Sequence, residues 1–200
     1  MGHAGMAAAA VRYLKVGRPV EALPRPELRC VREDERAPVD PDEFRRVLGD
    51  FASGVTIVTA PGVEGGEADA AGPAGFACQS FSSLSLDPPL VAFMVGRTST
   101  TWPRIARAGV FCVNVLSAGQ GPLCRAFARS GTDKFAGVEH DAAPVSGAPR
   151  LTGTLAWIDC TIHAVHTGGD HLIVVGRVNA LGRGDATAEQ PLLFHKGRFI

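Results

Sequence analysis

The chain has 200 residues, 46% of them hydrophobic, which is enough for one domain with a substantial core. Its 20 basic and 20 acidic side chains cancel, which argues against nucleic acid as a partner. No apolar run approaches the roughly 18 to 20 residues that cross a bilayer. No Lys or Arg precedes the alanines at 7–10, and this run is too short for the apolar region of a signal peptide. We therefore expect a cytoplasmic protein without membrane contact.

The first 39 residues differ in character from the rest. Four prolines interrupt any helix within residues 1–39, so we predict an N-terminal extension there. The domain proper is predicted over residues 40–200. It opens with a helix signal, because Asp40 can cap a helix that begins at Pro41. The apolar residues that follow at helical spacing should pack on a core: Phe44, Val47, Leu48 and Phe51.

The remaining elements are mostly strands. Short helices are predicted at 102–106 and 119–129. The longest two strands, 155–166 and 172–178, should form a hairpin across the turn 167–170. Three other apolar segments are predicted as strands: 55–60, 90–95 and 110–116. Many strands without a βα rhythm indicate an antiparallel β fold, and no Gly-x-Gly-x-x-Gly follows a strand to favour a Rossmann site.

The spacing of the five cysteines argues against a disulfide framework and against a structural zinc site. They stand at positions 30, 78, 112, 124 and 160, with an odd total and no Cys-x-x-Cys. A disulfide framework or a zinc site would leave a different spacing. Cys112 and Cys160 fall in apolar strands, so we interpret them as buried core thiols.

The most informative segment runs from Gly75 to Pro89. It concentrates small and hydroxylated residues, which allow a flat ligand to approach the backbone closely. A planar, phosphorylated cofactor would fit such a wall. A serine-rich edge strand facing water is the alternative interpretation. Further along, residues 97–101 form a hydroxyl-rich turn with one cation, which suits a phosphate but equally suits a simple capped loop.

Four segments together resemble the flavin reductase family. These are 75–89, Asn114-Val115-Leu116, 133–137 and Gly168-Gly169-Asp170-His171, in the expected order along about Pro41 to Phe199. The resemblance implies a mainly β split barrel, antiparallel and Greek-key-like, with a few short helices. It also implies a homodimer with a flavin near the subunit interface.

The resemblance further implies an NAD(P)H:flavin oxidoreductase. Such an enzyme reduces FAD or FMN by hydride transfer, with NADH favoured over NADPH. It then supplies diffusible reduced flavin to the oxygenase component of a two-component monooxygenase. Hydride passes directly between the two rings, so little acid–base machinery is expected.

The site residues follow from the wall, the turn and the matching motifs. Gln120 and Arg125 are expected near the flavin tail. The predicted cofactor contacts are Phe76, Ala77, Cys78, Gln79, Ser80, Ser85, Asp87, Pro88, Arg97, Thr98, Ser99, Thr100, Asn114, Ser117, Phe127, Lys134 and Phe135. Ala77 and Gln79 replace the hydroxyls common in this family, which leaves the choice between FAD and FMN open.

His171 is the predicted catalytic residue. The resemblance places Gly168, Gly169, Asp170 and His171 beside the nicotinamide, whereas the alternative is a surface histidine at a turn. A zinc site with His166 is rejected because no third strong ligand is tied to it, so no metal is predicted.

Two other functions remain open on the sequence. A flavin-storing protein could use the same wall without a nicotinamide site. An FMN-dependent oxidase of the pyridoxine phosphate kind would need an Arg- and His-rich pocket for a second phosphate, and no such cluster is found.

Overall fold

The structure, a computed structural model, describes residues 39–63, 72–131, 133–186 and 190–200. Apart from Val39, the predicted extension therefore lies outside the described residues. These residues contain three α-helices: α1 (Pro41–Leu48), α2 (Trp102–Ala108) and α3 (Gly121–Ala128), the last preceded by a 3-10 turn at Ala118–Gln120. None of the described helices combines the length and apolar character needed to cross a membrane.

Strands dominate the described chain. They are β1 (Ser53–Gly54), β2 (Thr56–Ala60), β3 (Ala74–Cys78), β4 (Ser82–Leu86), β5 (Pro89–Gly96), β6 (Val110–Val115), β7 (His140–Ala142), β8 (Pro149–Leu151), β9 (Ala156–Gly168), β10 (His171–Arg183), β11 (Leu193–His195) and β12 (Arg198–Phe199). Seven of them form one sheet in the order β3-β2-β6-β9-β10-β5-β4. Every strand pair in it is antiparallel. The prediction of a mainly β, antiparallel fold is confirmed.

Helix α1 begins where the sequence predicts. Asp40 Oδ1 accepts hydrogen bonds of 3.0 Å from the N–H groups of Asp42 and Glu43, which satisfies two of the free donors at the helix start. The expectation that its apolar face packs on a core is wrong for the described residues. None of its eight residues is buried, and Phe44 and Phe51 are 55% and 80% exposed.

The predicted hairpin is present and longer than expected. Strands β9 and β10 pair from the Gly168–His171 end to the Ala156–Arg183 end. Gly169 at the tip has φ +67°, a left-handed conformation that glycine adopts without strain. Cys112 and Cys160 are fully buried on neighbouring strands, as predicted. Burial, with the charge of Asp159, raises the pKa of Cys112 to about 12, so this thiol stays protonated.

An aromatic cluster fixes the sheet against α2. Phe93 lies at its centre, fully buried, with ring centroids 5.2 Å from Phe111 and 6.3 Å from Trp102. Phe76 of β3 adds a third ring at 5.9 Å. Since β3 and β5 are separated by four strands in the sheet order, this contact shows that the sheet curves until its first strand meets its sixth.

A serine hydroxyl group provides a second contact between the end of β3 and strand β5. Ser80, just after β3, accepts a hydrogen bond from the N–H of Met94 and donates one to the carbonyl of Met94, both 3.0 Å. Met94 lies on β5 beyond the part that pairs with β4. Its outward backbone groups therefore find their partner in one side chain instead of a strand.

The packing of Gly176 gives a test of this core. A Cβ there would lie 2.3 Å from Phe111 Cζ, far inside contact distance. We expect Gly176→Ala to lower the free energy of unfolding by about 1–3 kcal/mol, since the overpacked ring must move. The measurement is urea denaturation. Gly119→Ala, where a Cβ meets nothing within 4 Å, is the control and should be neutral or stabilising. Equal stability of both variants would contradict the packing described.

Candidate functional site

A cleft lies where β3, the start of α2, α3 and the β11–β12 hairpin come together. Its volume is about 710 Å³, within the range of about 300–1,000 Å³ typical of small-molecule sites. We call it the main cleft. It is lined by Val55, Phe76, Ala77, Cys78, Gln79, Ser80, Met94, Val95, Gly96, Thr98, Ser99, Thr100, Thr101, Cys124, Phe127, Ala128, Ser130, Lys134, His171, Phe194 and Phe199.

Most of the predicted wall and turn residues meet in this cleft. The predicted contacts that line it are Phe76, Ala77, Cys78, Gln79, Ser80, Thr98, Ser99, Thr100, Phe127 and Lys134, and His171 lines it as well. The predicted residues that do not line it are Ser85, Asp87, Pro88, Arg97, Asn114, Ser117, Gln120, Arg125, Phe135, Gly168, Gly169 and Asp170. The structure thus brings two parts of the predicted site, the wall and His171, into one cleft.

Asn114 is a core residue in the structure. Its side chain is fully buried, and its amide nitrogen donates to the carbonyls of Ile57 and Pro149 and to the Thr59 hydroxyl. Its amide oxygen accepts from the N–H of Leu151 at 2.8 Å. These internal partners use the polar capacity of the amide, so Asn114 organises strands behind the cleft.

Ser117 is also engaged within the protein. Its hydroxyl donates to the carbonyl of Gly153 at 2.9 Å, and its N–H donates to Gln120 Oε1 at 3.0 Å. The Gln120 amide in turn donates to the carbonyl of Thr152. These contacts start the helical segment that leads into α3, so Ser117 and Gln120 place α3 against the cleft.

The floor of the cleft is apolar. Phe127 of α3 is fully buried and meets Phe135 edge-on, with centroids 5.1 Å apart. A Cβ on Gly75 would lie 2.7 Å from Phe127 Cε1, so glycine in β3 is what lets the ring lie against the strand. The small residues Ala77 and Cys78 continue the strand beside it. Such a surface favours the face of a flat aromatic ligand.

The turn before α2 supplies hydroxyl groups to the cleft. The Ser99 hydroxyl accepts a hydrogen bond of 3.2 Å from the N–H of Trp102, so it is occupied by the chain itself. The hydroxyls of Thr98, Thr100 and Thr101 make no hydrogen bond to another described residue, and all three line the cleft. They are the free donors that a phosphate group needs.

Lys134 provides a positive charge at the floor. Its ammonium donates to the carbonyls of Gly75 at 3.1 Å and Phe127 at 3.0 Å. In the described part of the chain, no carboxylate lies within 4.0 Å of it. Burial, and then the nearby charge of Arg104, lower the pKa of Lys134. A third N–H remains for a ligand, because an ammonium has three donors.

His171 faces the cleft from the tip of the β9–β10 hairpin. Its Nδ1 bonds to Asp170 Oδ1 at 2.8 Å, and a carboxylate can only accept, so Nδ1 carries the proton. This contact and the charge of His171 lower the pKa of Asp170. The other ring nitrogen, Nε2, lies next to Gly96, which also lines the cleft. A Cβ added to Gly96 would be 3.9 Å from it. The backbone carbonyl of Asp170 also accepts a hydrogen bond of 3.0 Å from the N–H of Arg97. This bond ties the hairpin to the turn before α2.

A second hollow adjoins the main cleft. It has a volume of about 880 Å³ and shares Thr100, Thr101, Ser130 and Lys134 with it. We call it the side hollow. Its other lining residues are Gly72, Pro73, Gly75, Arg104, Gly131, Asp133, Phe135 and His140. Arg104 and His140 were not among the predicted site residues, because neither stands in one of the segments that resemble the family.

Two C-terminal aromatic residues of the main cleft, Phe194 and Phe199, were not predicted as site residues. Phe194 and Phe199 lie on β11 and β12 with centroids 5.4 Å apart. The turn between them, Lys196-Gly197, has positive φ at both residues. The pair is flanked by His195 and Arg198 and is not a strong hairpin signal such as Asn-Gly or Asp-Gly, so the glycine gave only weak local evidence for this turn.

Comparison with known proteins agrees on one family. A family model described as "Flavin reductase like domain" matches residues 48–200. The reductase subunit HsaB of a flavin-dependent monooxygenase from Rhodococcus jostii is 48% identical over 161 residues, which cover 80% of this chain and 77% of that protein. An NADH-dependent FAD reductase from Streptomyces globisporus is 40% identical over 166 residues, which cover 81% of this chain and 86% of the relative.

A solved structure gives the same result. The nitrilotriacetate monooxygenase component B from Mycobacterium thermoresistibile superimposes with a TM-score of 0.72 at 45% sequence identity. The match covers 80% of this chain and 84% of that chain.

The double contact between Ser80 and Met94 can be tested directly. We expect Ser80→Ala to lower the free energy of unfolding by about 0.5–1.5 kcal/mol. The N–H and carbonyl of Met94 lose their hydrogen-bond partner, and water makes up for only part of the lost hydrogen bonding. The measurement is thermal or urea denaturation. Ser83→Ala is the matched control, because Ser83 is exposed and its hydroxyl makes no hydrogen bond to a described residue. A Ser80 variant as stable as the control would show that the contact is dispensable.

Proposed function

The chain belongs to the flavin reductase family, and we propose that it oxidises NADH and reduces FAD or FMN, which it then releases to a partner monooxygenase. The observation that carries the proposal is the main cleft. It joins a flat apolar wall, a set of free hydroxyls and an ammonium to a histidine, His171, that lies beside the hydroxyl-bearing turn. These features match the parts of a phosphorylated flavin and of the nicotinamide that must meet it.

The residues present fit a flavin. The isoalloxazine ring would lie along Phe76, Ala77 and Cys78, where small side chains leave its face room. Its phosphate would be held by Lys134 and by the threonine hydroxyls of residues 98–101. Ser80 remains a predicted contact, since it lines the cleft, and its hydroxyl is also bonded to Met94 and thereby fixes the end of the wall.

The chain's own part in the reaction is orientation. The bound flavin supplies the hydride acceptor, and the nicotinamide supplies the hydride. His171 is held by Asp170 so that Nε2 faces the cleft, where it can hydrogen-bond the nicotinamide carboxamide. Holding two rings face to face turns a two-molecule encounter into a positioned reaction. No side chain has to exchange a proton with the reacting carbon.

The partner follows from the relatives. The Rhodococcus jostii relative is the reductase subunit of a flavin-dependent monooxygenase. We infer that this chain likewise serves a separate oxygenase through diffusible reduced flavin. Flavin would then behave as a substrate, with a dissociation constant on the order of micromolar, about −8 kcal/mol.

The finer architecture is also a proposal. The curved seven-stranded sheet and the membership of the family support a split barrel over residues 40–200, with 1–39 as an extension. The exposed apolar residues of α1 and its following turn support a homodimer, with the second copy covering them. These residues are Phe44, Val47, Leu48 and Phe51.

The direct test is turnover with defined substrates. Purified protein is mixed with NADH and catalytic amounts of FAD, FMN or riboflavin, and nicotinamide absorbance is followed over time. We expect loss of NADH that depends on added flavin. Flavin that binds without any NADH oxidation would overturn the proposal in favour of a flavin-storing protein. Activity that survives dialysis and ignores added flavin would overturn the substrate-like role of the flavin.

His171→Ala should act on the nicotinamide side. We expect the KM for NADH to rise, or hydride transfer to slow, by roughly 2- to 10-fold, which corresponds to the loss of one hydrogen bond of about 0.5–1.5 kcal/mol. Binding of oxidised flavin should change little. His166→Ala is the control, because His166 lies on β9 in the same hairpin but does not line the cleft. Weakened flavin binding with normal NADH kinetics would place His171 on the wrong ligand.

The lowered pKa of Lys134 predicts a pH effect on FMN binding. As pH rises, the ammonium loses its proton earlier than an ordinary lysine, because burial disfavours the charged form. FMN affinity should therefore fall at a pH below the usual lysine range of about 10.4. Titration of FMN at increasing pH measures this, and Lys134→Met should abolish the phosphate-dependent part of the change.

The control for this experiment is a lysine outside the cleft. Lys196 pairs with Asp50 at 2.7 Å on the surface, so Lys196→Met should keep the wild-type pH profile. Riboflavin, which lacks the phosphate, should show the smaller dependence. An identical pH profile for riboflavin and FMN would remove Lys134 from the phosphate site.

A further inference from the structure

A small pocket lies at the end of the β9–β10 hairpin that is farthest from His171. The pairing of the two strands runs from Gly168–His171 at the tip to Ala156–Arg183 at the other end. Trp157 and Arg183, at that other end, line the pocket. We call it the remote pocket. It has a volume of about 260 Å³ and shares no lining residue with the main cleft, so the proposed flavin site does not account for it.

The remote pocket carries two groups of each charge, and one pair of them is joined. Its charged lining residues are Asp141, Arg150, Arg183 and Asp185. The Arg150 guanidinium donates from Nε to Asp141 Oδ1 at 2.6 Å and from Nη2 to Asp141 Oδ2. It also lies over the Trp157 ring, 4.9 Å from the centroid. A two-point contact of this kind balances both charges, so Arg150 and Asp141 form a wall of the pocket.

Arg183 and Asp185 have no such partner. No carboxylate of the described residues lies within 4.0 Å of the Arg183 guanidinium, and no cationic side chain of those residues lies within 4.0 Å of the Asp185 carboxylate. From beyond that distance the charge of Asp185 contributes, after the hydrogen bond from Arg150 to Asp141, to the raised pKa of Arg150. One positive and one negative group therefore remain available in the same pocket.

The backbone fixes both groups before a ligand arrives. Asp185 Oδ1 accepts a hydrogen bond of 2.7 Å from the N–H of Gly153, while its Oδ2 makes no hydrogen bond to a described residue. The N–H of Gly184 donates to the carbonyl of Leu155 at 2.9 Å, and a Cβ on Gly184 would overlap the carbonyl of Thr154. The segment that carries the two charges is thus held closely against the start of β9. Such preorganisation lowers the entropy cost of binding.

The class of ligand follows from charge and size. A simple carboxylate would be attracted by Arg183 and repelled by Asp185, and a simple amine would meet the reverse. A ligand that carries both charges satisfies both residues. The volume of about 260 Å³ lies just below the range of about 300–1,000 Å³ for drug-sized ligands, so this ligand is small. An α-amino acid has a carboxylate and an ammonium on one carbon, and the half-buried Trp157 offers apolar surface to its side chain.

We propose that the remote pocket binds a free α-amino acid, with Arg183 on its carboxylate and Asp185 on its ammonium. The inference goes beyond the proposed function and does not depend on it, because the remote pocket and the main cleft have no residue in common.

The first measurement uses the unaltered protein and the standard L-amino acids as probes. Binding is followed by ligand-observed NMR, with and without saturating FMN. We expect at least one amino acid to bind with a dissociation constant that is millimolar or lower. Its analogues without the ammonium or without the carboxylate should each bind at least about tenfold more weakly, because each leaves one charged group unpaired. Failure of every amino acid to bind overturns the proposal. Displacement by FMN also overturns it, since the amino acid would then lie in the main cleft.

The second measurement compares Arg183→Gln and Asp185→Asn with Arg177→Gln. Arg177 lies on the same strand as Arg183, is exposed and does not line the remote pocket, so it is the matched control. Asparagine keeps an oxygen that can accept from Gly153, so Asp185→Asn removes charge with little change in shape. We expect Arg183→Gln and Asp185→Asn each to weaken amino acid binding about tenfold and the control to bind like the unaltered protein. Arg183→Lys keeps the charge and should recover part of the loss.

The analogue without the ammonium separates charge recognition from a structural role. It should bind Asp185→Asn at least as well as the unaltered protein, because the repelling carboxylate is gone, and it should bind Arg183→Gln more weakly. Equal loss of the amino acid and this analogue in Asp185→Asn would overturn the proposal. So would folded variants, checked by circular dichroism, that bind the amino acid as the Arg177 control does. Absence of NADH oxidation with any flavin would instead overturn the proposed function and would leave these binding results standing.

Discussion

The approach of β3 to β5 is the constraint on which the main cleft depends. Four strands separate them in the sheet order, yet Phe76 packs on Phe93 and Ser80 binds both backbone groups of Met94. Without that closure the wall would be an open sheet edge with unpaired groups facing water. With it, the wall becomes one side of a cleft whose other side is the turn before α2. The serine that the sequence suggests as a ligand contact therefore contributes by holding the site in shape.

The distribution of charge follows from how the floor is built. Gly75 lets Phe127 lie against β3, and the same strand and helix offer the carbonyls that hold the Lys134 ammonium. Carbonyl groups position a cation without neutralising it, so the charge remains available to an anion. Burial makes this arrangement costly, which the lowered pKa of Lys134 records. A phosphorylated ligand offsets that cost, whereas a carboxylate at the same place would have removed the site's affinity.

Local signals in the sequence predict the helices and strands well. They predict poorly which polar side chains are free to bind a ligand and which bind the protein backbone. Asp40 and Pro41 specify the start of α1, because capping is a short-range interaction. Asn114 and Ser80 carry donors and acceptors that could serve a ligand or the backbone, and only the fold decides which. Both are used by the backbone here. The position of Arg104 in the side hollow could not be predicted from sequence either, since the hollow also takes residues from segments distant in the chain, around Gly72 and Lys134.

The hydrogen bonds inside the cleft bear on how long a ligand stays. Ser80, Ser99 and Lys134 each have partners within the chain, so the protein does not need a ligand to satisfy them. A buried donor without a partner costs about 1–3 kcal/mol, and a site full of such donors would hold its ligand for that reason alone. Here the binding energy is limited to the free threonine hydroxyls, one remaining ammonium proton and the apolar wall. That balance agrees with the proposed release of the reduced flavin, and it is the opposite of what a permanently bound prosthetic group requires.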